Sequence, residues 1–225
     1  MSDVKPNILW LDDPAAKDNP LLGGKFSSLA TSMAAGYSVP PGFGITTQAF
    51  REFVKGAGLE DEISRVRKIA TEIEPAQLKV ETAKLIDQIM TAPMPQDLHD
   101  QIAQAYEKLE ERTGVIDVPV AVRSSGESED LAGASFAGQY ETFLWVSDVE
   151  NVIRYTRQCW AGMFSDTVLT YRHEGKQVAA LSDFAICVGI QQMVQARAAG
   201  VMFTLDPITG DRSKIVIESC WGLGE

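Results

Sequence analysis

The segment of this sequence best suited to chemistry follows a β-forming run at residues 120–123. Arg123 closes that run, and a guanidinium at the end of a strand offers a permanently charged fork of donors that matches phosphate oxygens. Small side chains come next, and they leave backbone N–H groups open to a polyanion. These small residues are Gly133, Ala134, Ser135, Ala137 and Gly138. A phosphate site is the functional interpretation, and a tight connection with a surface ion pair at Arg123 is the structural alternative.

Lys25 is a second candidate for a phosphate contact. It follows two glycines at the predicted start of a helix. There its charge would oppose the positive helix terminus unless an anion were also present. A solvated lysine on a helix end is the alternative interpretation.

A pair of residues in a later β-forming run suits a nucleobase. Gln191 and Met193 alternate onto one face of the predicted strand. An amide beside a flexible apolar side chain can hold the edge and the face of a purine, whereas a buried, satisfied glutamine is the alternative. His99 and His173 have no partner at metal or triad spacing, so both are predicted at the surface.

Hydrophobic periodicity predicts the elements that would position these residues. Helices are predicted at 25–36, after Thr46, over 59–90 with a weak boundary near Pro75, at 95–114 and within 149–171. Strands are predicted at 7–11, 118–122, 185–195, 201–205 and 215–217, with a turn at 198–200. The predicted fold class is α+β. A helical N-terminal lobe with short strands would span 1–117, and an α+β lobe with a mixed, mainly antiparallel sheet would span 118–225.

Composition and net charge indicate a globular protein and argue against some kinds of binding partner. The chain has 225 residues, 45% of them hydrophobic and 23% charged, which fits a globular protein with one sizeable core or two small lobes. A net charge of −11 argues against sequence-independent binding to nucleic acid or to an anionic membrane. Three widely spaced cysteines in apolar stretches predict buried thiols. Because no apolar signal core or spanning run occurs, a cytoplasmic location is expected.

Several short sequence blocks occur along the chain in an order that is typical of one family. They read LGGKFSSL at 22–29, VPPGF at 39–43, AVRSS at 121–125, ASFAGQ at 134–139, GVMFTLD at 200–206 and WGLGE at 221–225. Together they resemble phosphoenolpyruvate synthase and pyruvate phosphate dikinase, whose N-terminal domain is of the ATP-grasp type. The resemblance covers nearly the whole chain, and so many blocks in order are more specific than any one of them.

That resemblance implies an ATP site in an incomplete ATP-grasp-type domain. It assigns phosphate charge neutralisation to Lys25 and Arg123, the loop over the phosphates to Gly138 and Thr142, and the adenine pocket to Gln191 and Met193. No residue of the chain receives a catalytic role. The ligands of Mg²⁺ are expected in a later segment that completes the cleft.

The implied activity is phosphoryl transfer from ATP to a histidine on another domain or subunit, with AMP and phosphate released overall. Pyruvate or a phenol-like molecule would be the final acceptor, and positioning with charge neutralisation would carry most of the acceleration. The chain is expected to be part of a longer dikinase and inactive alone, or the ATP-binding subunit of a split system resembling phenylphosphate synthase. Rifampin phosphotransferase shares the same front end. A non-catalytic nucleotide-binding or partner-binding module is the alternative from another class.

Overall fold

Two compact units make up the chain, Met1–Gln192 and Met193–Glu225. The computed structural model describes residues 5–126, 141–170, 172–173, 176–177 and 185–223. The first unit combines helices with an antiparallel sheet, and the second contains a two-stranded sheet. The predicted mixture of helices and mainly antiparallel strands is therefore confirmed.

The strands of the first unit come from widely separated parts of its sequence. In chain order they are β1 (Ile8–Trp10), β2 (Gly42–Ile45), β3 (Val120–Gly126), β4 (Thr142–Val146), β5 (Arg172–His173), β6 (Lys176–Gln177) and β7 (Ile186–Gln192). Five of them form one sheet in the order β1-β2-β7-β3-β4, and each neighbouring pair is antiparallel. β5 and β6 pair with each other. The main sheet thus joins early and late segments of the unit.

The helices begin and end where the sequence supplies local signals. They are α1 (Gly23–Ala34), α2 (Thr47–Gly56), α3 (Glu60–Ile69), α4 (Pro75–Thr91), α5 (Gln96–Thr113), α6 (Val149–Gly162) and α7 (Asp166–Thr170). Thr46 caps α2 by accepting a hydrogen bond from the Ala49 N–H at 3.4 Å. Pro75 begins α4, and Gly114 ends α5 in the left-handed conformation at φ 68°.

One face of the five-stranded sheet, here called the apolar face, carries the main core. Its side chains come from alternate positions of adjacent strands, including Phe43, Ile45, Val122, Val188 and Ile190. Helices α2, α5 and α6 cover this face. Each side chain that is fully buried there stabilises the fold by roughly 1.5–3 kcal/mol.

The opposite face, here called the glycine face, is built from small residues. Gly42, Gly44, Ala121 and Gly189 occupy alternate positions on it. A Cβ added to Gly189 would lie 1.8 Å from the ring of Phe26, so that ring occupies the space where a side chain would otherwise stand. Helix α1 therefore lies against the bare backbone of β7. A smaller apolar cluster that includes Leu22, Phe26 and Cys187 fills this contact.

The second unit is an antiparallel pair, β8 (Ala198–Phe203) and β9 (Val216–Trp221). Its connecting turn is ordered by Asp206, whose carboxylate accepts hydrogen bonds from the N–H groups of Ile208 and Thr209 at 2.8 and 3.1 Å. These donors favour the ionised form and hold the pKa of Asp206 below its usual value.

Three sequence-based expectations differ from the structure. The boundary at 117 falls inside the first unit, because β1 and β2 pair into the same sheet as β3, β4 and β7. The turn expected at 198–200 lies inside β8, where Ala198 and Gly200 pair with Trp221 and Ser219. Cys159 and Cys187 are buried as expected, but Cys220 is exposed on β9. Among the helices described, none is long and apolar enough to cross a membrane.

Replacing Gly189 with alanine should destabilise the first unit. The added methyl group would overlap the Phe26 ring and push α1 away from the sheet, at a cost of about 1–3 kcal/mol in the free energy of unfolding. Chemical denaturation of both proteins measures the difference. Gly162→Ala is the control, because its Cβ would lie 3.7 Å from its nearest neighbour, an ordinary contact. Equal stability of Gly189→Ala and the unsubstituted chain would contradict the close packing of α1.

Candidate functional site

The polar side chains of the site share the glycine face of the sheet. Arg123 on β3 pairs with Gly189 on β7 and with Thr142 on β4. Gln191 lies on the same face, two residues further along β7. Directly opposed residues of antiparallel strands project their side chains to the same side, with Cβ atoms about 5 Å apart. The register alone therefore brings Arg123, Thr142 and Gln191 together.

The N-terminal turn of α1 lies at the end of β3, close to Arg123. Gly23 has a φ of 62°, and a Cβ on it would lie 2.2 Å from the carbonyl oxygen of Ser125. The hydroxyl of Ser125 accepts a hydrogen bond from the N–H of Phe26 at 3.3 Å. Leu22, which precedes α1, provides no side-chain cap, and Ser125 supplies a side-chain acceptor to the first turn of the helix from β3.

Lys25 occupies this first turn of α1 and is exposed. Ser125 is two residues beyond Arg123 on β3, a separation of about 7 Å along a strand. The contact between α1 and Ser125 therefore brings the backbone of Lys25 to the same end of the glycine face as Arg123. The guanidinium of Arg123, a helix N-terminus and the backbone of Lys25 share this end, an arrangement suited to a polyanion.

The amide of Gln191 is buried, and both its nitrogen and its oxygen are hydrogen-bonded. It is 6% exposed, its Nε2 donates to the Pro40 carbonyl at 3.2 Å, and its Oε1 accepts from Arg123 Nη1 at 3.4 Å. Arg123 itself is half-buried. Among the described residues, one donor of the guanidinium is thus held by a neighbouring strand.

The acidic residue nearest in sequence to Thr142 faces the other side of the sheet. Glu141 Oε2 would lie 3.7 Å from a Cβ on Gly162 in α6, a helix that covers the apolar face. Desolvation there raises the pKa of Glu141, and burial likewise raises the pKa of the Cys159 thiol. The cations on the glycine face are therefore not neutralised by the carboxylate next to Thr142 in the chain.

The remaining predicted residues have different outcomes. Gly138 lies outside the described residues, as does the side chain of His173. Met193 begins the second unit, because β7 ends at Gln192 and the alternation of side chains along β7 does not reach it.

His99 is half-buried on α5, and its Nε2 lies 3.3 Å from Glu150 Oε1. Across the part of the chain that the structure describes, no three His, Cys, Asp or Glu side chains cluster as metal ligands do.

Sequence reasoning missed Ser125 and Pro40. Ser125 was part of the run after Arg123, but only the docking of α1 shows which group its hydroxyl binds. Pro40 contributes through its carbonyl oxygen, and a backbone acceptor leaves no signal in residue type. Two consecutive prolines at 40–41 restrict the backbone that carries this carbonyl.

Comparison with known proteins gives a consistent result. The model of the family described as "Pyruvate phosphate dikinase, AMP/ATP-binding domain" matches residues 19–225. The chain is 40% identical over its whole length to a probable phosphoenolpyruvate synthase of Staphylothermus marinus and covers 27% of that protein. It is 40% identical over 97% of its length to the phosphoenolpyruvate synthase of Aeropyrum pernix, covering 26% of it. The chain thus spans about a quarter of these relatives' length.

Ser125→Ala should loosen the start of α1. Removal of the hydroxyl leaves the buried N–H of Phe26 without its acceptor, which should lower the free energy of unfolding by about 1–3 kcal/mol. Hydrogen exchange at the Phe26 amide should become faster, because that amide loses its protecting bond. Ser28→Ala, at an exposed position of α1, is the matched control and should change neither quantity. An unchanged Phe26 exchange rate in Ser125→Ala would refute the capping role.

Proposed function

The chain belongs to the pyruvate phosphate dikinase AMP/ATP-binding domain family, and from that membership we propose that its glycine face binds the phosphates of ATP. The observation that carries the proposal is the convergence of Arg123 and Thr142 with the N-terminal turn of α1. A guanidinium, a hydroxyl and helix N–H groups are all donors that suit phosphate oxygens.

In this proposal Lys25 and Arg123 neutralise the charge of the phosphates. Thr142 adds a hydroxyl donor from the adjacent strand, and Gly138 belongs to the loop that covers the phosphates. The adenine is proposed to lie further along the glycine face, toward Gln191, and the contact with Met193 stays a prediction. One N–H and one lone pair of the Gln191 amide are engaged by Pro40 and Arg123, and we propose that its methylene stem contacts the base.

The wider reaction we propose is that of a dikinase with an ATP-grasp-type nucleotide domain. One phosphoryl group of ATP would pass to a histidine on another domain or subunit and a second to water, so that AMP and phosphate are released overall. Pyruvate is the acceptor that the relatives' names favour, and a phenol-like acceptor is the variant. Within this chain the contribution is binding and charge neutralisation, which dominate catalysis of phosphoryl transfer.

Magnesium is part of the proposed reaction, but we assign it no ligands here. The described residues of the glycine face offer a guanidinium, hydroxyls and an amide, and these are not the carboxylate set that Mg²⁺ prefers. No step is therefore derived through the metal. Its ligands are proposed to lie outside this chain, and a cytoplasmic location stays a prediction.

Arg123→Ala and Lys25→Ala should each weaken ATP binding by the intact protein. Loss of one charge-assisted phosphate contact corresponds to about 1.5–3 kcal/mol, or roughly a 10- to 150-fold rise in Kd. Isothermal titration calorimetry measures this directly. Lys79→Ala removes the same charge from an exposed position on α4 and should leave the Kd unchanged. Native affinity in both Arg123→Ala and Lys25→Ala would remove these residues from the site.

The dikinase activity has its own test. The intact protein is incubated with magnesium and with ATP labelled at either the β or the γ phosphate, and acid-labile phosphohistidine is then measured. Because AMP keeps the α phosphate, one of the two labels should appear on histidine and the other in free phosphate. Binding of ATP without any labelled histidine would instead favour a non-catalytic nucleotide-binding module.

A further inference from the structure

We propose that Gln191 is a positioning residue for Arg123, and that its amide acts on the phosphates through the guanidinium instead of reading the base. This inference rests on the proposed phosphate-binding function of Arg123. Its foundation is a polar chain of three groups, from the Pro40 carbonyl through the Gln191 amide to the Arg123 guanidinium.

The two hydrogen bonds fix which way the amide faces. Nε2 donates to the Pro40 carbonyl at 3.2 Å, and Oε1 accepts from Arg123 Nη1 at 3.4 Å. If the amide were flipped, its oxygen would face the Pro40 carbonyl oxygen and its NH2 group would face the N–H donors of Arg123, so neither hydrogen bond could form. Only one orientation is therefore satisfied, and it presents an acceptor to the guanidinium.

The anchor at the far end of this chain is rigid. Pro40 has a fixed φ, and because Pro41 follows it, Pro40 is also confined to the extended region. The N–H of Gln192 donates to the Pro41 carbonyl at 2.9 Å, which ties the Pro-Pro turn to the end of β7. The Pro40 carbonyl is thus fixed in position, and the Gln191 amide, which is hydrogen-bonded to it, restrains Arg123 in turn.

Burial makes the arrangement specific. Gln191 is 6% exposed, so its amide groups have little access to water and depend on these two partners. The guanidinium, by contrast, is half-buried and needs to satisfy only one of its five donors here. Arg123 is consequently restrained from β7 through one of its donors.

The test compares ATP with adenosine in the intact protein. Gln191→Met keeps the length and volume of the side chain, and Gln191→Asn keeps an amide that is one methylene too short to bridge both partners. We expect either variant to weaken ATP binding by about 2- to 12-fold, because a released guanidinium must be ordered again when the phosphates bind, and Gln191→Met, which keeps the length of the side chain, to weaken adenosine binding much less than ATP binding. Gln88→Met, at an exposed position of α4, is the control and should bind both ligands normally.

A double-variant cycle separates this inference from the proposed site. If Gln191 acts through Arg123, Gln191→Met should cause no further loss of ATP affinity in the Arg123→Ala background. Additive losses, or an equal loss of adenosine affinity, would overturn the positioning role while leaving Arg123 in the site. Native ATP affinity of Arg123→Ala would instead overturn the phosphate site, and the positioning role with it.

Discussion

The site depends on how closely α1 approaches the five-stranded sheet. The ring of Phe26 occupies the position of a missing side chain on Gly189, and Leu22 does the same above Gly44. A side chain at either glycine would lift the helix from the sheet and break the contact between Ser125 and the first turn of α1. The glycines on β2 and β7 therefore set how closely the first turn of α1 approaches the strand that carries Arg123.

The two faces of this sheet have different roles. The apolar face buries large aliphatic and aromatic side chains under α2, α5 and α6, and supplies most of the hydrophobic stabilisation. The glycine face buries fewer large side chains, and it carries Arg123, Thr142 and Gln191 beside a helix N-terminus. Because both faces belong to the same strands, the rigidity of the core is passed directly to the polar groups.

Much of this fold could be predicted from the sequence, because caps and periodicity are local signals. Thr46, Pro75 and Gly114 mark helix ends where the structure has them. The site could be predicted only as a set of residue types, since its assembly requires the register of β3 against β7 and β4. The engagement of Gln191 with Pro40 was beyond sequence reasoning, because a backbone carbonyl 151 residues away in the chain supplies the partner.

The most direct measurement is a crystal structure of the intact protein with a non-hydrolysable ATP analogue. Phosphate oxygens are expected on the glycine face, about 2.7–3.2 Å from the guanidinium of Arg123 and the ammonium of Lys25. An analogue bound with its phosphates on another surface, beyond hydrogen-bond distance of both cations, would contradict the proposed site.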